Sequence, residues 1–144
     1  MTVSIDQLNI LLSCLAAWFL SQVVKALLNL WQQRELNPLQ AIFATGGMPS
    51  AHAASVSALA AAIFLHEGVS TAFAVALILM FVTLRDAVGV RLAAGEQARV
   101  LNDLVAKLNH DHPALHVDHG HTVAQVVVGV FVGIAAAMIV MELS

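Results

Sequence analysis

Residues 119–141 read HGHTVAQVVVGVFVGIAAAMIVM, a run with no formal charge that is almost wholly apolar after Gln125. A bilayer crossing needs about 20 mainly apolar residues in a helix, so this run reads as a membrane span. Three further uncharged runs extend along the chain, Gln7–Val24, Leu36–His66 and Gly68–Leu84. The first and third each hold one helix, and the second holds a loop followed by a helix. The pattern predicts four spans, at roughly 8–30, 51–66, 69–88 and 122–142. Met1–Gln7 carries no basic residue and no small-residue cleavage site follows, so the first run is expected to be a span and not a signal peptide.

Composition agrees with this reading. Of the 144 residues, 60% are hydrophobic and 10% charged, and the mean hydropathy is +0.86. Soluble domains carry about a quarter charged residues. Disorder, a collagen repeat and a disulfide scaffold are excluded as well, because the chain is apolar, lacks a glycine period and has one cysteine, Cys14. The expectation is an all-α, polytopic membrane helical bundle, a single domain over residues 1–144, in the inner (cytoplasmic) membrane and without a nucleic-acid partner.

Four spans bring the end of span 1, the start of span 2, the end of span 3 and the start of span 4 to one membrane face. Every basic residue lies on or near it: Lys25, Arg34, Arg85, Arg91, Arg99 and Lys107. The other face holds Asp6, Glu67 and Glu142. Basic residues gather on the cytoplasmic side of membrane proteins, which assigns this face to the cytoplasm. Between spans 3 and 4, Leu92–Leu108 sets Leu101, Leu104, Val105 and Leu108 against Glu96, Arg99, Asn102 and Asp103 at helical spacing. That is an amphipathic helix suited to the membrane interface.

Ionisable groups at membrane depth are costly, and they mark cavities and pathways. Lys25 near the end of span 1 reads either as a lysine snorkelling to the headgroups or as a ligand for an anion. Ahead of span 2 stands Gly46-Gly47-Met48-Pro49-Ser50-Ala51-His52. Its glycines permit a tight turn, Pro49 suits a first helical turn, and free N–H groups at a helix start attract anions. A histidine there can give a proton to a leaving oxygen. The plainer reading is a loop with Ser50 as helix cap.

Arg85-Asp86-Ala87-Val88-Gly89-Val90-Arg91 closes span 3. Arginines hold anions through forked hydrogen bonds, and Asp86 can orient an arginine or a histidine; Arg91, beyond the glycine, is the better phosphate ligand. At the start of span 4, His121 and Gln125 are four residues apart and share a helix face, so the amide can fix the imidazole. A neutral imidazole held this way is a nucleophile toward phosphorus.

With GGMPSAH, the run DAVGVRLAAGEQARVLN from Asp86 to Asn102, and GHTVAQVVVG from Gly120 to Gly129, the chain resembles the divergent, small-membrane-protein branch of the type 2 phosphatidic acid phosphatases, relatives of the vanadium haloperoxidases. The resemblance runs over nearly the whole chain. It implies His121 as nucleophile, His52 as general acid, Gln125 in the orienting position, and Lys25, Gly47, Ser50 and Arg91 around a phosphate. The activity implied is hydrolysis of a lipid phosphomonoester, phosphatidate or phosphatidylglycerophosphate, through a phosphohistidine, without metal or other cofactor and on the cytoplasmic face. Two departures bear on mechanism. Ala51 stands where the wider superfamily has glycine in its Pro-Ser-Gly-His motif, and Gln125 replaces a carboxylate. Asp86 or Asp118 then serves as the missing carboxylate, or turnover is slow.

Other readings compete. His110, His112, His116, His119 and His121, with Asp111 and Asp118, read either as a solvated loop or as a divalent-metal site of a metal-dependent hydrolase. A non-enzymatic transporter subunit or scaffold is the alternative of a different class. Gly129-x3-Gly133 offers a small-residue face that serves internal packing or oligomerisation, and a homodimer is expected.

Overall fold

The computed structural model describes residues 4–31, 47–108, 111–115, 117 and 120–144. Five helices run through them: α1 (Ile5–Trp31), α2 (Ala51–Glu67), α3 (Thr71–Val88), α4 (Val90–Lys107) and α5 (Val123–Glu142). The protein is an all-α membrane bundle. Among the described residues, three helical stretches are long and apolar enough to cross a bilayer, Ile5–Trp31, Thr71–Lys107 and Val123–Glu142. In the second of these the apolar part is α3. With 17 residues, α2 is about 25 Å long and stands at the short end of the spanning range.

Helix α2 is the centre of the bundle, packed against α5, α1 and α3. Its sequence explains why. Lipid tails are as apolar as leucine, so membrane helices associate through close packing and not through dehydration. Ala51, Ala53, Ala54, Ser57, Ala58, Ala60 and Ala62 are all buried, and they let neighbouring backbones come near. Opposite them, a Cβ on Gly129 or Gly133 of α5 would run into the carbonyl of Ser50 or Ala54. The small-residue face of α5 is therefore filled by α2 of the same chain.

The polar groups separate to the two ends. Lys25, Ser50, the α3–α4 corner and His121 lie at one, while Asp6, His66 and Glu142 line a groove at the other. Helix α4 turns out of the bundle at Gly89 and buries only Gly95 and Ala98 among the described residues. Leu101, Leu104 and Leu108 stay about half exposed or more, as a helix lying at the membrane interface requires. Asn102 clasps the connection that follows: its amide donates to the Leu115 carbonyl at 2.9 Å and accepts from the Leu115 N–H at 2.8 Å.

Candidate functional site

Backbone bonds tie three segments together at the basic end. The His121 N–H donates to the Ala87 carbonyl at 3.2 Å, and the Ser50 N–H donates to the Gln125 carbonyl at 3.1 Å. Beneath them Ala53, Ala87 and Val126 form a buried layer joining α2, α3 and α5. Two alanines in this layer keep the helix ends close enough for the backbone bonds to form.

Thr122 and Gln125 form a capping box at the start of α5. The Gln125 Nα–H donates to Thr122 Oγ1 at 3.3 Å, and the Thr122 N–H donates to Gln125 Oε1 at 3.0 Å. A backbone N–H can only donate, so it fixes which amide atom of Gln125 is the oxygen. The same oxygen lies 3.3 Å from His121 Nδ1. An amide oxygen only accepts, so Nδ1 is the donor, and in the neutral ring the lone pair then lies on Nε2. Burial holds the His121 pKa below the ordinary imidazole range; the bond to Gln125 opposes this, and the charges of Lys25, His52 and Arg91 add to it. The ring is thus buried, its charged form is disfavoured by that burial, and its Nδ1 faces the Gln125 oxygen.

The remaining candidates stand around it. Lys25 is 4% exposed, and its aliphatic stem lies beside Gly47, 3.7–3.8 Å from where a Cβ there would be. Gly47 adopts φ +80°, a conformation natural to glycine. Pro49 precedes the helix, and Ser50 is the N-cap of α2, with Oγ accepting from the Ala53 N–H at 3.4 Å. His52, on the exposed side of the first turn, is within electrostatic reach of Arg91, Lys25 and Asp86. Arg91 Nε donates to Asp86 Oδ2 at 2.6 Å, which leaves the terminal amino groups of the guanidinium for another anion. All eight residues singled out in the sequence meet at this end.

Asp86 holds Arg91, while the His121 ring is held by Gln125. Asp118, Arg34, His110, His116 and His119 lie outside the described residues. His112 Nδ1 is 2.8 Å from the carbonyl of Pro113, and no cluster of three or more metal-ligating side chains occurs among the described residues. Sequence reasoning missed the Ala87 carbonyl, Thr122 and Asn102. Only Thr122 carried a signal, the Thr-x-x-Gln spacing of a capping box.

A glycine-flanked helix start, a held imidazole and two cations thus lie at one end of the bundle. Over residues 7–136 the chain matches the divergent PAP2 family. It belongs to that family. This divergent PAP2 protein is 45% identical over 100 residues to the uncharacterized membrane protein YuiD of Bacillus subtilis (strain 168). That alignment covers 69% of this chain and 63% of the relative, so the chain spans under two thirds of the relative's length. No solved structure matches it.

Proposed function

We propose that this divergent PAP2 protein hydrolyses a lipid phosphomonoester, of the phosphatidate or phosphatidylglycerophosphate class, at the cytoplasmic headgroup level. The observation that carries the reading is the 3.3 Å contact of His121 Nδ1 with a Gln125 amide oxygen that the Thr122 N–H holds in place, which favours the Nδ1–H tautomer. It leaves Nε2 as an uncharged nucleophile beside two cations.

In the first step Nε2 of His121 forms a bond to phosphorus as the bond from phosphorus to the lipid oxygen breaks. Lys25 and the terminal amino groups of Arg91 stabilise the equatorial oxygens, and Gly47 with the capped start of α2 at Ser50 lies beside them. His52, protonated, gives its proton to the departing alkoxide. In the second step a water oxygen attacks phosphorus, the P–N bond breaks, and His52 takes the water proton, returning both histidines to their starting states. Gln125 keeps the ring aligned but brings no negative charge to the phosphoimidazolium. Asp86 acts through Arg91, presenting its fork. No step uses a metal.

The cytoplasmic assignment rests on the basic residues gathered at this end. Any homodimer uses a surface other than the Gly129–Gly133 face, which α2 fills. The test is phosphate release from phosphatidate and phosphatidylglycerophosphate in vesicles, by wild type, His52→Ala and His121→Ala, with and without chelator. Release by wild type that survives chelator and is lost in both variants supports the proposal. Equal release by all three overturns it.

A further inference from the structure

Beneath the layer that supports His121 the bundle opens sideways. Helices α3 and α5 both pack on α2 but scarcely touch each other, and between them lies a cavity of about 370 Å3. Its floor is Ser57 and Ala61 of α2; its walls are Leu77 and Met80 of α3 and Val130 and Ile134 of α5. The exposed lining is entirely apolar. The Ser57 hydroxyl has its partner within the protein, donating to the Met80 sulfur at 3.5 Å.

The cavity is joined to the site above it. Val130 lines it and also packs on the Ala53–Ala87–Val126 layer. Ser57 follows His52 by five residues, and Val130 follows Gln125 by five, which sets both about 7.5 Å below the site at 1.5 Å per residue. From a phosphate at headgroup level this depth is hydrocarbon. The slot is also narrow. Two helices flanking a third at packing distances of about 8–10 Å, and meeting each other at their edges, leave less than the width of another helix, about 10 Å. A single methylene chain fits such a slot.

We infer that this groove holds one acyl chain of the lipid phosphate and that its width sets which chains the protein accepts. The inference rests on the proposed phosphatase reading and adds to it residues that select the substrate's tail, among them Ala61 on α2 and Ile134 on α5, which both line the slot.

Ile134→Trp and Ala61→Leu narrow the groove from two different helices, and Val75→Trp, at an exposed position outside it, serves as control. Each is assayed in vesicles with dioleoyl phosphatidate and with dibutyryl phosphatidate, whose chains end above the groove. Both groove variants are expected to lose about tenfold in kcat/KM on the dioleoyl lipid. Retained turnover of the dibutyryl lipid shows that each variant is folded. Equal loss on both lipids in Ile134→Trp, or no loss on either, overturns the inference.

If wild type releases phosphate from neither lipid, the phosphatase reading falls by itself, and labelling decides the groove. Phosphatidate with a mid-chain diazirine should mark groove residues of α2, α3 and α5 in wild type and fail to do so in Ile134→Trp. Labelling elsewhere, or labelling unchanged by Ile134→Trp, overturns the inference. So does a disulfide-linked dimer of Ala61→Cys, which would place a second copy in the slot.

Discussion

Each end of the bundle presents a histidine beside helix termini and carboxylates, yet the two histidines live in different surroundings. His66 faces Asp6 at 3.8 Å, with side chains 36% and 55% exposed, so the pair is an ordinary surface contact. Contacts of this kind are worth about 0–1 kcal/mol. His121 is buried, its own N–H is spent on Ala87, and its ring is aligned by an oxygen that is itself held by a backbone N–H. The contrast teaches that residue type does not make a site. Removal from water and a side-chain partner for the ring do: His121 is buried with Nδ1 against the Gln125 oxygen, while His66 is exposed beside Asp6.

The largest effect should come from deleting the two rings in turn. His121→Ala is expected to lower lipid-phosphate turnover by about a thousandfold or more, while His66→Ala stays within about twofold of wild type. Phosphate release at saturating substrate measures both. A comparable loss from each would erase the distinction between the two ends.

The next effect concerns charge. His121 must be neutral to attack, so turnover falls as pH drops through its pKa. Because burial holds that pKa down, the acid limb should lie below the ordinary imidazole value of about 6.5. Gln125→Glu puts an anion beside Nδ1–H, favours the imidazolium, and should move the acid limb upward. At neutral pH the same carboxylate stabilises the phosphoimidazolium, so kcat above the new limb should rise. An acid limb that stays in place in Gln125→Glu would mean that the amide does not govern the ring.

A smaller effect is expected at Asp86, which acts only through Arg91. Asp86→Asn keeps a hydrogen-bond acceptor but loses the ion pair, and KM for the lipid phosphate should rise about three- to tenfold with kcat little changed. At the other end Glu142→Gln should change neither constant.

Much of this was legible in the chain. The helices α1, α3 and α5 fall within a few residues of the expected spans, and α1 continues past Lys25 and α3 past Arg85 and Asp86, since a charge near the headgroups does not end a helix. Helix α2 was legible as a thin alanine and serine helix. Its neighbour was not, since a Gly129-x3-Gly133 face looks the same whether it packs on its own chain or on a second copy. Pro49 suited a first helical turn, yet the cap falls on Ser50, because the serine hydroxyl reaches the Ala53 N–H. Asp86 could orient either an arginine or an imidazole, and spacing does not choose between them. The Asn102 clasp depends on where a loop returns, for which no local pattern exists. Thr122 was readable as a cap, but the sequence carried no sign that one amide oxygen serves both the cap and the ring.

That shared oxygen sets the smallest and most discriminating expectation. Thr122 caps α5 at the site end, and Ser70 caps α3 at the opposite end, where its Oγ accepts from the Phe73 N–H at 3.1 Å. Replacing either by alanine removes one acceptor from a helix start, and each should cost about 1 kcal/mol of stability. The two differ in what else they touch. In Thr122→Ala the first turn of α5 loosens around Gln125, whose oxygen is the fixed point for His121 Nδ1–H. Part of the ring population should then take the other tautomer, visible as a shift in the imidazole nitrogen resonances, with kcat reduced a few-fold and KM unchanged. Thr122→Ser restores the acceptor and should restore the tautomer with it. Ser70→Ala should lower thermal stability by a similar amount and leave both the resonances and kcat alone. Matching losses of kcat in the two alanine variants would trace the effect to general loosening of the bundle and not to the proton on His121.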